Sequence, residues 1–210
     1  LRLAVSFLFL PALRNYLPPP PADILEVVLI ILGEVVVGIF IGLMMRIVMS
    51  AMHVAGMILS YMAGMAAATL FDPNQNTQGS LVGSFLGLVA ITIFFTSELH
   101  HIVFAAIYDS YDLFLPGQKT PFNDFAYFSI RTVSETFLIG FKIAAPIVLT
   151  GLILYLAAGL MSRLMPGMQV FFVLLPLQIL AAFFILALSI SASMILFLNF
   201  FEVHLAEFLN

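Results

Sequence analysis

Apolar positions dominate this chain in long runs, and the polar residues that interrupt them mark its elements. A hydrocarbon layer about 30 Å thick is crossed by around 20 mostly apolar residues at a rise of about 1.5 Å each. Several runs meet that length. The first ends at Arg14 and Asn15, and the proline run LPPPP, Leu17 to Pro21, forbids helix and favours a stiff extended connection. From Ile24 to Met45 only Glu26 and Glu34 break the apolar pattern; after Arg46 a second run, Ile47 to Phe71, carries only His53. Each of these two is expected to span separately.

The stretch DPNQNTQGS, Asp72 to Ser80, has turn chemistry and predicts a tight connection between long helices. Leu81 to Phe95 is short for a span and ends in the polar cluster Ser97, Glu98, His100 and His101; Ile102 to Leu115 follows as an amphipathic piece. After LPGQKTPFND, Leu115 to Asp124, one long helical pattern begins polar, becomes apolar and reaches Leu164 and the breaker Met165-Pro166-Gly167. Pro146 is expected to kink it. Within it Arg131, Glu135 and Lys142 share a face at spacings of four and seven, read as a solvated or headgroup-facing stripe. The last run, Val170 to Phe201, contains Pro176, so a short first piece is expected to bend into a long final helix before the amphipathic tail FEVHLAEFLN.

Composition sharpens this reading. Of 210 residues, 63% are hydrophobic and only 9% charged, too few to coat a water-facing surface. The mean hydropathy of +1.17 agrees. The fold class is therefore all-α: a polytopic membrane-type protein in one helical domain over residues 1–210. The chain opens at Leu1 on an apolar segment, so a preceding piece is expected to be missing, and no cleaved signal peptide is evident. The net charge of −4 is spread thinly without a basic cluster, which argues against nucleic acid as a partner. With no cysteine there is no disulfide framework or thiolate chemistry.

Helices in lipid associate where small residues let their backbones approach. Gly79, Gly83 and Gly87 form one ladder at four-residue spacing, Gly56, Ser60, Gly64 and Ala68 a second, and Gly38 with Gly42 a third, shorter one. These faces expect partner helices, within the chain or from other subunits. Glu34 lies mid-run, where an ionisable group is costly. A structural pair with Arg46 or Lys142, a proton or substrate relay, or a position on an aqueous lumen would each explain it. The His100-His101 pair invites a metal reading, but adjacent helical residues point to different faces and no HExxH-type spacing follows. Neither GxSxG nor any nucleophile-base arrangement is present, so the chain is read as non-enzymatic, without metal or cofactor.

Four segments together resemble the FliR family, whose virulence counterpart is the SctT subunit of injectisomes. They are GEVVVGIFIGLMMR (Gly33 to Arg46), HVAGMILSYMAGMAAATLFDPNQNTQG (His53 to Gly79), ELHHIVFAAIYDSYDLFLPG (Glu98 to Gly117) and LMSRLMPGMQVFFVLLPLQI (Leu160 to Ile179). Each is weak alone; their order makes the match specific. One departure is Gly167, where family members often carry an amide after the proline, so no role of that side chain transfers.

The resemblance implies an export-gate subunit of the flagellar type III secretion apparatus, in the bacterial inner membrane at the basal body. It implies assembly with FliP-like and FliQ-like subunits around a pore for unfolded flagellar proteins, with an FlhB-like subunit associated. It further implies bent helical hairpins, with Pro146, Pro166, Gly167 and Pro176 as hinges, and a loop that helps plug the closed pore, here Phe114, Leu115, Pro116, Gly117, Gln118, Pro121 and Phe122. Two rivals carry different signatures. A self-sufficient small-solute transporter would show inverted repeats, which are not seen, and an intramembrane enzyme would need facing acids, for which Glu34 and Asp109 are the only tempting groups. A scaffold beside a pore built wholly by other subunits is also open, as is a virulence rather than flagellar system.

Overall fold

A computed structural model describes residue 11 and residues 23–65, 80–116, 122–165 and 169–208. Among them every regular element is a helix: α1 (Ile24–Met49), α2 (Ala51–Met62), α3 (Leu81–Thr96), α4 (Leu99–Leu113), α5 (Phe122–Leu164) and α6 (Val170–Phe208). The class is all-α, as the apolar runs require.

The expected boundary at Arg46 is absent. Arg46 sits in the last turn of α1, where a cation suits the carbonyl end of the helix, and its long side chain reaches out of the apolar surface. Only Ser50 separates α1 from α2. Its backbone stays right-handed helical, its N–H donates to the Arg46 and Ile47 carbonyls at 3.0 Å, and its hydroxyl donates to the Ile47 carbonyl at 2.6 Å. Ile24–Met62 is thus one 39-residue apolar rod rather than two spans.

Helix α2 ends at Met62, and the rest of the second run beyond residue 65 lies outside the described residues. Met65 N–H donates to the Ser60 carbonyl and Gly64 N–H to the Tyr61 carbonyl, with Gly64 at φ +73°. This is the bond pattern of a Schellman cap, and its left-handed position selects glycine. Gly64 therefore ends the helix, and it also lies close to α6, with Gln178 Oε1 3.1 Å and Leu175 Cγ 3.8 Å from a built Cβ.

Between α3 and α4 the axis turns by 77°. No proline makes this bend: Glu98 takes a left-handed backbone at φ 58°, and its carbonyl accepts from His101 N–H at 3.0 Å. Conversely, α5 and α6 run unbroken through Pro146 and Pro176. Each proline leaves the carbonyl four residues earlier, Lys142 or Phe172, without its helical donor. The tail residues to Phe208 continue α6 rather than forming a separate element.

The short helix α2 is the centre of the packing, with α5 on one side and α3 on the other, and α6 lies against α5. Ala51, Met52 and Ala55 are fully buried. The core extends through Leu86, Ala144, Phe197 and Phe201, with Phe94 meeting Phe201 edge-on at 5.2 Å. Outside this core the rods are bare. Three stretches are long and apolar enough to cross a membrane, Ile24–Met62, Asn123–Leu164 and Phe172–His204, and the bent α3–α4 pair would make a fourth. Only 17%, 28% and 17% of the three apolar windows are buried within the chain, so most of their surface needs lipid or another protein to cover it.

Candidate functional site

Small residues bring α2 and α3 into backbone contact. An ideal Cβ built on Gly56 would lie 2.1 Å from the Gly83 Cα and 2.3 Å from its nitrogen, so no side chain fits there. Ser80 bridges the same crossing. Its hydroxyl donates to the Gly56 carbonyl at 2.8 Å, accepts the Gly83 N–H at 3.0 Å, and lies 2.6 Å from the Ser60 hydroxyl. Since the Ser80 proton is committed to Gly56, Ser60 is the donor of that last bond. One step on, the His53 ring lies against Gly87, 3.3 Å from where a Cβ would stand. Gly56, Ser60, Gly83 and Gly87 thus serve packing inside the chain; Gly79 lies outside the described residues.

Gly38 and Gly42 behave differently. Neither has anything within 4 Å of a built Cβ, and both are exposed beside Val35, Ile39 and Leu43 on α1. Their stripe is open in the isolated chain. A further row, Thr132, Thr136, Gly140 and Ala144, is buried and was not singled out from sequence. Gly140 lets α5 onto α2, its built Cβ falling 2.8 Å from Val54 Cγ1. The four-residue spacing was its signal, concealed because two of the four are threonines.

The structure overturns the salt-bridge partners expected for Glu34. Arg46 stands twelve residues along the same helix, about 18 Å away, and is exposed. Helix α1 pairs with the start of α5, Phe40 on Phe125, which leaves Lys142 more than four turns farther along α5. The Glu34 carboxylate instead accepts a hydrogen bond from the Tyr111 hydroxyl on α4. It is half-buried, at a cavity of about 70 Å³ lined also by Gly38, Ile41, Ser110 and Phe114.

His100 is half-buried and His101 exposed, so of the four residues expected to be buried polar groups none is fully enclosed in this chain. Nor do the two imidazoles diverge: their centroids are 4.2 Å apart at the start of α4, where the turn has just been set by Glu98. No group of three or more His, Cys, Asp or Glu among the described residues is placed to hold a metal. A polar cluster on α5 and α6 lies elsewhere, with His204 its buried member. Glu135 accepts from Arg131 Nε at 2.8 Å and meets His204 Nε2 at 2.7 Å, tying α6 to α5 with the His204 side chain 7% exposed. Lys142, on the expected stripe, is exposed and outside that pair.

Of the expected plug segment, Phe114, Leu115 and Pro116 are described, Phe122 opens α5, and Gly117, Gln118 and Pro121 lie outside the described residues. Phe114 meets Phe125 edge-on at 5.1 Å, and Phe125 stacks on Phe40 at 3.9 Å with the rings 4° apart. Both ends of the segment are therefore gathered on α1. The expected hinge Pro166-Gly167 lies outside the described residues. Between α3 and α6 runs an apolar groove of about 770 Å³ walled by Val82, Phe85, Leu88, Phe183, Leu186 and Ile190.

Bare apolar rods leave most of the spanning surface to be covered by lipid or another protein. The model of a family described as bacterial export proteins, family 1, matches residues 1–203. The chain belongs to that family. It is 32% identical to the flagellar biosynthetic protein FliR of Caulobacter vibrioides over 189 residues, 90% of this chain and 75% of that protein. It is 30% identical to FliR of Bacillus subtilis, over 91% of this chain and 76% of the relative. The Yop proteins translocation protein T of Yersinia pestis is also 30% identical, over 80% of this chain and 65% of that protein. Within this export family the chain is a membrane-embedded component, in keeping with its apolar rods.

Proposed function

We propose that this chain is a subunit of the protein-export gate of the flagellar type III secretion apparatus, in the bacterial inner membrane at the basal body. The observation that carries the reading is the family match over nearly the whole chain, joined to apolar rods that the chain leaves uncovered. In this reading the partners are FliP-like and FliQ-like subunits around a common pore, with an FlhB-like subunit alongside, and the cargo is unfolded flagellar protein. The Gly38–Gly42 stripe of α1 is suited to a neighbouring subunit's helix, because nothing of this chain lies within 4 Å of a Cβ built on either glycine, with Gly38 also bordering the Glu34 cavity. Its work is passage and closure, without catalysis or cofactor. The segment from Phe114 to Phe122 closes the pore, being short, punctuated by Pro116, Gly117 and Pro121, and rooted in an aromatic cluster.

The virulence counterpart is a second reading, supported by the Yersinia relative at the same identity as one of the flagellar ones. A secretion assay separates them. In the parent bacterium, loss of this chain should abolish release of flagellar subunits into the medium; retained flagellar release with loss of injected effectors would favour the second reading. Deleting Gln118 to Pro121 should let the closed gate leak ions, and unchanged membrane conductance would count against the closing role.

A further inference from the structure

Of the buried polar side chains among the described residues, His204 alone can carry a charge. It stands near the end of α6, 7% exposed, with the Phe200 ring 4.2 Å from its own. Its Nε2 meets Glu135 Oε2 at 2.7 Å, and the other oxygen of that carboxylate accepts from Arg131 Nε. A carboxylate only accepts, so the proton of the first bond sits on Nε2, and the neutral ring offers just a lone pair at Nδ1. Nδ1 is buried and meets no hydrogen-bond partner among the described residues. A buried acceptor left bare is costly, and native folds rarely tolerate one without water or another donor against it.

The His204 ring borders a cavity of about 30 Å³ walled by Ile41, Met44 and Val48 of α1, Ala106 of α4 and Thr132 of α5. Thr132 is 1% exposed, and its hydroxyl proton is committed to the Phe128 carbonyl at 2.8 Å. Any hydrogen bond it makes in the cavity it must therefore receive. Both polar groups at this cavity are thus acceptors, and the remaining walls are apolar. The fitting ligand is small, uncharged and has two protons to give, since an ammonium ion would meet methionine and aliphatic walls with no counter-charge. We propose that the cavity holds a water molecule donating one hydrogen bond to His204 Nδ1 and the other to Thr132 Oγ1. One water needs roughly 10 to 15 Å³ of such space and at least two polar partners, and both requirements are met. The water holds the imidazole in the tautomer that donates to Glu135, so it supports the tie between α6 and α5. With walls from α1 and α4 as well, it is a polar joint where four helices meet.

The test uses the full chain in the membranes that carry it, with nitrogen-15 in its four histidines. Solid-state NMR reads the protonation of each ring nitrogen and the passage of magnetisation from water protons to it, and the His204 signals are those lost in His204→Gln. The parent chain should show a protonated Nε2, a bare Nδ1 and transfer from water to Nδ1. Thr132→Val keeps the side chain's shape and removes the hydroxyl. It should abolish that transfer and speed amide exchange over the last turns of α6 about fivefold, the scale of one net hydrogen bond. Thr132→Ser, which keeps the hydroxyl, should hold both readouts at the parent values. Absence of water transfer to Nδ1 in the parent chain would overturn the site, as would a proton on Nδ1 in place of Nε2. Transfer that persists undiminished in Thr132→Val would also overturn it, because the water would then not rest on Thr132.

Discussion

Gly56→Ala should destabilise the chain, while the same substitution at Gly38 should not. A methyl carbon on Gly56 would stand 2.1 Å from the Gly83 Cα, whereas carbon atoms rest at about 3.5 to 4.0 Å, so α3 must withdraw by roughly 1.5 Å. That movement stretches the Ser80 hydroxyl away from the Gly56 carbonyl and from Ser60, now at 2.8 and 2.6 Å. Overpacking costs about 1 to 3 kcal/mol. Two lost hydrogen bonds add about 0.5 to 1.5 kcal/mol each. Replacing glycine in a helix returns up to about 1 kcal/mol, so the net loss is about 1 to 5 kcal/mol. At Gly38 nothing lies within 4 Å, so only the favourable helix term remains and the sign reverses. With no tryptophan in the chain, unfolding in detergent is best followed by circular dichroism at 222 nm against heat or denaturant. Equal stability changes in the two variants would refute the assignment of Gly56 to an internal crossing and Gly38 to an open face.

Other substitutions test separate parts of the account. Gly64→Ala forces a side chain into φ +73° with Gln178 Oε1 3.1 Å from the new carbon, and should cost about 1 to 2 kcal/mol; Gly64→Asn should recover much of it. Phe201→Ala empties a fully buried site against Phe94 and Phe197, and a loss of about 3 to 5 kcal/mol in the same unfolding assay is expected. Glu135→Ala removes the shared partner of Arg131 and His204, leaving an enclosed imidazole with one fewer bond; the end of α6 should then exchange amide hydrogen faster than its middle.

Much of this was legible because lipid leaves the chain few options. Apolar runs bounded by breakers gave α5 and α6 nearly to their ends, since Pro166 and Gly167 follow Leu164 and a new apolar run starts at Val170. Arg46 misled because one charge in an apolar run looks like an edge, yet a terminal arginine completes a helix and need not end a rod. Gly64 kept the four-residue rhythm of its neighbours, and only the backbone angle reveals it as a cap. Pro146 and Pro176 lie inside continuous helices, while Glu98, with no glycine to advertise a left-handed turn, was passed over. The Glu34–Tyr111 bond joins helices far apart in sequence, so neither spacing nor charge could point to it: tyrosine carries no charge to pair.

The most direct test of the central claim is the mass of the detergent-solubilised particle, measured for this 23.1 kDa chain expressed alone and again with the FliP-like and FliQ-like subunits proposed above. The account expects a single hetero-oligomer of defined mass on co-expression, and aggregation or poor recovery of the chain alone because its apolar rods are uncovered. A stable, monodisperse species that ignores those subunits when they are supplied would contradict it.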